Sequence, residues 1–171
     1  MKVAYDWTLQ RSCSLIPEWK SLQLGKHTSV DDLSRELSAA GFQITDGAAD
    51  ILGKVQLAMT TTQIPIVKVC PWQLGLEADA TANAINARAA RCGFTTVPAE
   101  AGPQLRLQYA DQPGGEYLLL GMDPLFSDGY PSIFAILERC GRRLLDAAYG
   151  YRGHLWSLTT PWVFARRVTS G

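Results

Sequence analysis

Glu100, Gln104, Arg106, Gln108 and Gln112 crowd one short polar segment of the chain. Arg106 offers a planar fork suited to a carboxylate or phosphate, because its guanidinium gives two parallel donors. Glu100 is placed to pair with Arg106 or to act as a base. Leu105, Leu107 and Tyr109 alternate with Arg106 and Gln108, a period-two signal that predicts a strand over 105–109. Such a strand sets Arg106 and Gln108 on one face, about 7 Å apart. Turn chemistry at 111–115 and 127–131 supplies a pocket rim, and Tyr109 or Trp156 an apolar wall. The candidate ligand-binding residues are therefore Glu100, Arg106, Gln108, Tyr109 and Trp156, and the ligand a small anion or a protein. The competing reading is a solvated sheet face with one Glu100–Arg106 ion pair, which contributes about 0–1 kcal/mol.

Other chemistry is sparse. The two histidines, His27 and His154, stand in no His-x-x-His or His-Glu-x-x-His pattern, so a site with several histidine ligands is excluded by count. No Gly-x-Ser-x-Gly, Walker or Gly-x-Gly-x-x-Gly motif occurs, and Gly114-Gly115 reads as a hairpin turn. No catalytic residue, metal or cofactor is assigned. A non-enzymatic ligand- or protein-binding module is the favoured reading. The alternatives are a nucleotide- or RNA-directed enzyme using Glu100, Arg106 and His154, and a small oligomeric structural protein.

The 171 residues suit a single domain, and 47% hydrophobic residues suffice for a substantial core. Sixteen basic and sixteen acidic side chains cancel, which argues against a whole-protein grip on nucleic acid or anionic lipid. The balance is local, however. Arg139, Arg142, Arg143, Arg152, Arg166 and Arg167 give the last part of the chain a positive excess, with Tyr149, Tyr151, Trp156 and Trp162 nearby. That composition suits single-stranded nucleic acid, an anion or a protein contact, or simply a solvated sheet edge. No apolar run approaches the ~20 residues of a membrane span. The first residues hold no stretch of signal-peptide length, so a cytoplasmic setting is expected. Cys13, Cys70, Cys92 and Cys140 form no Cys-x-x-Cys pair, and four unpaired thiols follow as the expectation.

The elements that must position these groups divide the chain into an arm (1–25), a helical part (26–94) and a sheet part (95–171). Helices are expected over 30–40, 46–52 and 82–92, with Ser29 and Thr81 as caps and Gly41 and Gly93 as stops. Leu33, Leu37 and Ile85 should face one shared core. Strands are expected over 63–70, 116–122, 132–138, 142–145 and from Trp162. Pro65 points to an edge strand or a later start. The predicted class is α+β, with two or three short helices on an antiparallel meander of about four to five strands. Gln23-Leu24-Gly25 to Gly41-Phe42 and Gln73-Leu74-Gly75 to Gly93-Phe94 form an internal repeat: glycine turn, hydroxyl cap, helix, Gly-Phe stop. The acidic first helix and the weakly charged second one make DNA reading by this pair a poor fit.

The run from Val97 through Pro98-Ala99-Glu100-Ala101-Gly102-Pro103 to Tyr109, followed by Asp111-Gln112-Pro113, resembles a family of small uncharacterised bacterial proteins. Asp50-Ile51-Leu52-Gly53 and the closing strand extend the resemblance from about residue 24 to the C-terminus. The resemblance implies a fold-level unit and no activity. Gly47, where the family often has Trp, weakens any role for the short helix 46–52.

Overall fold

A computed structural model describes residues 13–150 and 153–167. Trp7 and Leu9 of the expected arm, and Tyr151 and Arg152, lie outside the described residues. Helix α1 (Val30–Ala39) starts where Ser29 Oγ accepts the Asp32 amide at 3.1 Å, and α2 (Asp46–Leu52) starts at the Thr45 hydroxyl. Helix α3 (Ala82–Arg91) starts where Thr81 Oγ1 accepts the Ala84 amide. Each cap satisfies an amide the helix itself cannot. Leu33, Leu37 and Ile85 are fully buried in one contiguous core. The internal repeat is real as local structure, since both units hold a ten-residue helix between glycines of positive φ.

The strands are β1 (Lys20–Leu24), β2 (Gln43–Ile44), β3 (Thr62–Val69), β4 (Phe94–Thr95), β5 (Tyr117–Leu120), β6 (Leu125–Ser127), β7 (Tyr130–Arg139), β8 (Arg142–Tyr149) and β9 (Trp162–Arg166). They form one nine-stranded sheet in the order β1-β3-β9-β5-β7-β8-β2, with β4 on β9 and β6 on β7. This corrects the expected antiparallel meander of four to five strands. Two pairs are parallel, β5 with β9 and β2 with β8, so the sheet is mixed. The distant β9 inserts between β3 and β5, a choice no local pattern encodes. β3 is not an edge strand. Pro65 is tolerated because pairing with β9 begins only at Ile66, so the missing donor costs no ladder bond on that side.

The second correction is at 105–109, which is helical. Helix α4 (Ala101–Gln108) touches β1 at one end of the strand order and β7 and β8 near the other. A flat sheet cannot do this, and the sheet curls into a half-barrel around the helix. Gly102 permits the approach: a Cβ there would lie 2.6 Å from the Phe134 ring on β7. All residues from Ala101 to Arg106 are buried and only Leu107 and Gln108 are part-exposed, so α4 has no amphipathic period to reveal it.

Cys13 and Cys92 form a disulfide with Cα atoms 5.3 Å apart, while Cys70 and Cys140 are free. The expectation of four thiols is corrected to two. The pair lies 79 residues apart in sequence, so only the folded chain brings it together. Cys92 is the C-cap of α3, and the bridge therefore straps that helix to the start of the described chain.

Candidate functional site

Four of the five residues singled out in the sequence meet on or beside α4. Glu100, Gln104 and Gln108 are spaced by four, which puts them on one helical face. Glu100 is buried beneath two loops. Its Oε1 accepts the Gly25 amide at 2.8 Å and Gln104 Nε2 at 3.0 Å, and its Oε2 accepts the Ala58 amide at 2.7 Å. Gly25 holds φ +69°, and a Cβ there would lie 2.3 Å from the Thr60 carbonyl oxygen, so this loop contact needs glycine. Gln104 Nε2 also donates to His27 Nδ1 at 3.0 Å, and His27 Nε2 meets Glu36 Oε2 at 2.5 Å. That chain suits the tautomer with hydrogen on Nε2. Gln108 acts as a missing strand. It accepts the Gln23 amide at 2.9 Å and donates to the Gln23 carbonyl at 2.8 Å, closing the free edge of β1.

Arg106 is fully buried rather than half-exposed, since the strand that would have turned it outward is a helix. One terminal nitrogen donates to Gln112 Oε1, the other to the Tyr109 carbonyl at 2.5 Å, and its guanidinium lies 4.7 Å from the Phe42 ring centroid. Gln112 continues to the Glu116 and Ile136 carbonyls, so the arginine is tied to β7. Burial, and then the Arg143 charge, pull its pKa down to about 10. Tyr109 packs edge-on against Trp19 at 4.9 Å, under the ammonium groups of Lys20 and Lys68. Burial, then its hydrogen bond to Glu116, push its hydroxyl well above the usual phenol range.

The fifth residue, Trp156, stands elsewhere. It lines a groove of about 620 Å³ between the start of α3, the β6–β7 hairpin and the β8–β9 connection. Trp156 and Ala80 exchange backbone bonds of 2.8 and 3.1 Å, which fixes the tryptophan next to the Thr81 cap. Leu158 donates to Asp79 Oδ1 at 3.0 Å and clamps the same connection. On the far wall, Lys54 Nζ holds the Phe126 carbonyl at 2.6 Å. His154, Trp156 and Trp162 make a row of edge-to-face rings, with centroids 4.3 and 5.7 Å apart, and Trp162 stacks on Phe164. Of the two expected rims, the 127–131 turn reaches the groove through Gly129 and Pro131, and the 111–115 turn does not. Glu100, Arg106, Gln108 and Tyr109 are not among its lining residues.

The groove's polar groups escaped the sequence reading. Trp162 is 1% exposed and Asn86 is half-buried, yet Trp162 Nε1 and Asn86 Oδ1 are covered without any hydrogen-bond partner. An unsatisfied buried donor or acceptor costs about 1–3 kcal/mol. Asn83 and Asn86 are the available signal: two poor helix formers, three apart, in an alanine-rich helix. Among the described residues, the lining carries no Asp, Glu, Lys or Arg.

The described arginines near the end of the chain fall in more than one place. Arg139 and Arg142 pair across the β7–β8 hairpin, whereas Arg166 donates to the Ile16 carbonyl and covers the Phe94 ring. Among the described residues, no three His, Cys, Asp or Glu side chains gather as a metal site, and no helix is long and apolar enough to cross a membrane. No family model matches this chain, and no curated protein or solved structure matches it at a significant level.

Proposed function

We propose that the protein is a small-molecule-binding module whose site is the groove lined by Trp156, Trp162, His154, Phe126, Asn83 and Asn86. The observation that carries this reading is an aromatic-walled hollow of about 620 Å³, lined by Trp156, Trp162, His154 and Phe126. Its volume falls within the ~300–1,000 Å³ typical of ligand pockets. Aromatic walls recognise flat apolar surface, and a few polar groups fix orientation. The described lining is mainly apolar and aromatic, with Thr81, Asn83, Asn86 and His154 as its polar side chains, which suits a binding site. The α4 cluster supports the same division of labour, because Glu100 and Arg106 spend their hydrogen bonds holding loops and strands together.

The test is a titration of protein carrying ¹⁵N-labelled tryptophan with a panel of mono- and bicyclic aromatic fragments. Saturable shifts of the Trp156 and Trp162 indole resonances are expected, and Trp156→Ala should weaken binding at least about tenfold. Shifts confined to the other three tryptophans, out of five in the chain, would refute the reading.

A further inference from the structure

We propose that Lys54, steered by Asp50, is a positioning residue that holds the Phe126 wall of the groove in place for the ligand; this rests on the groove being a binding site. The wall needs holding. β6 has three residues and, among the described strands, pairs with β7 alone. A strand this short with one paired edge opens readily by local fraying. Phe126 is 61% exposed, so no surrounding core fixes it, yet it lines the hollow together with Pro131, its partner across the hairpin.

The other side of β6 meets α2. The Lys54 ammonium donates to the Phe126 carbonyl at 2.6 Å. The Asp50 carboxylate, four residues earlier, accepts from the same ammonium at 2.9 and 3.0 Å and so aims it. Asp50 also takes a hydrogen bond from the Ser127 side chain, which, ahead of Lys54, holds its carboxyl below the usual carboxylate range. Two neighbouring residues of β6 are thus tied to two charged side chains at one helix end. Bonds of this charge-assisted kind are roughly twice as strong as neutral ones. The helix end is itself anchored. Ile51 and Leu52 are buried in the core, and the Lys54 amide bonds the Ile51 carbonyl at 3.0 Å. At the other end of α2, Thr45 donates its amide to the Leu145 carbonyl at 3.1 Å and its hydroxyl to Asp146 at 2.7 Å. The Phe126 wall is therefore fastened to β8 and the core through α2. A ligand that meets a wall already in place loses less ordering free energy on binding.

The experiment compares the native chain with Lys54→Met, which keeps the length of the side chain and removes its charge and donors. Indole is the binding probe, read by the Trp156 and Trp162 indole N–H resonances of ¹⁵N-labelled protein. Amide exchange over residues 125–127 is read without ligand. Lys54→Met should weaken indole binding roughly three- to tenfold and speed that exchange at least about threefold. Its thermal midpoint should stay within about 3 °C of the native one, because a part-exposed ion pair contributes little to the fold. Lys54→Arg, which keeps charged donors, should recover most of both losses. Indole affinity within about twofold of native in Lys54→Met would overturn the inference, and so would unchanged exchange over 125–127. A midpoint lowered by more than about 8 °C would overturn it too, by making Lys54 a residue of the fold. Absence of indole binding to the native protein would do the same. The broader reading falls only if the rest of the aromatic panel also leaves Trp156 and Trp162 unmoved.

Discussion

The polar face of α4 and the polar side chains of the groove differ in how fully the protein satisfies them. Glu100, Gln104 and Gln108 each meet partners on a different element, so two loops, one sheet edge and one helix become a single unit. Asn86 and Trp162 hold polar atoms that no part of the protein satisfies. Arg106 Nε, Arg143 Nε and Glu116 Oε2 are unpartnered as well, and none of these three residues lines the groove. Polarity inside a protein is thus not in itself a mark of function. The complete satisfaction of Glu100, Gln104 and Gln108 points to architecture.

The largest effect should come from the architectural side. Glu100→Ala strands the Gly25 and Ala58 amides and the Gln104 side chain, and should cost roughly 3–5 kcal/mol in urea unfolding. A loss under about 1 kcal/mol would remove the distinction between the two regions. The disulfide ties the groove helix α3 to Cys13 rather than to α4. Reduction should cost about 2–4 kcal/mol and speed amide exchange in α3 more than in α4. Thiol titration in denaturant without reductant should find two reactive groups per chain, and four would show that the strap does not form.

The groove should respond in the opposite sense. Trp156→Ala removes a half-buried ring and should cost only about 1–2 kcal/mol of stability while ligand binding falls at least about tenfold. A stability loss comparable with that of Glu100→Ala would make Trp156 a core residue. The smallest effect is expected for Asn86→Leu. It deletes a covered atom that has no partner, so stability should stay within about 0.5 kcal/mol of the native protein or rise slightly, as read by thermal melts. A loss above about 2 kcal/mol would mean that Asn86 serves the fold.

Much of the local structure was legible. Hydroxyl caps, glycine stops and apolar residues at helical spacing mark α1, α2 and α3 to within a residue at each end, because those signals act over a single turn. The β7–β8 hairpin shows in its turn residues Cys140 and Gly141. Helix α4 was not legible. Its length of eight residues, its proline and glycine, and burial on all sides erase the helical period, while Leu105, Leu107 and Tyr109 mimic a strand. The spacing of Glu100, Gln104 and Gln108 by four was the remaining helical clue.

The sequence by itself determined the capped helices, the turns, the hydrophobic content of one core and the identity of the aromatic and polar side chains available for binding. Each follows from interactions a few residues long. Only the tertiary structure decided that β9 lies parallel to β5, that Cys13 meets Cys92, that Arg106 turns inward, and that Asn86, Trp156 and Trp162 line one hollow. Those contacts join residues tens of positions apart. Their selection depends on which arrangement of the whole sheet buries the most apolar surface with the fewest unsatisfied polar groups, and no short window of sequence carries that comparison.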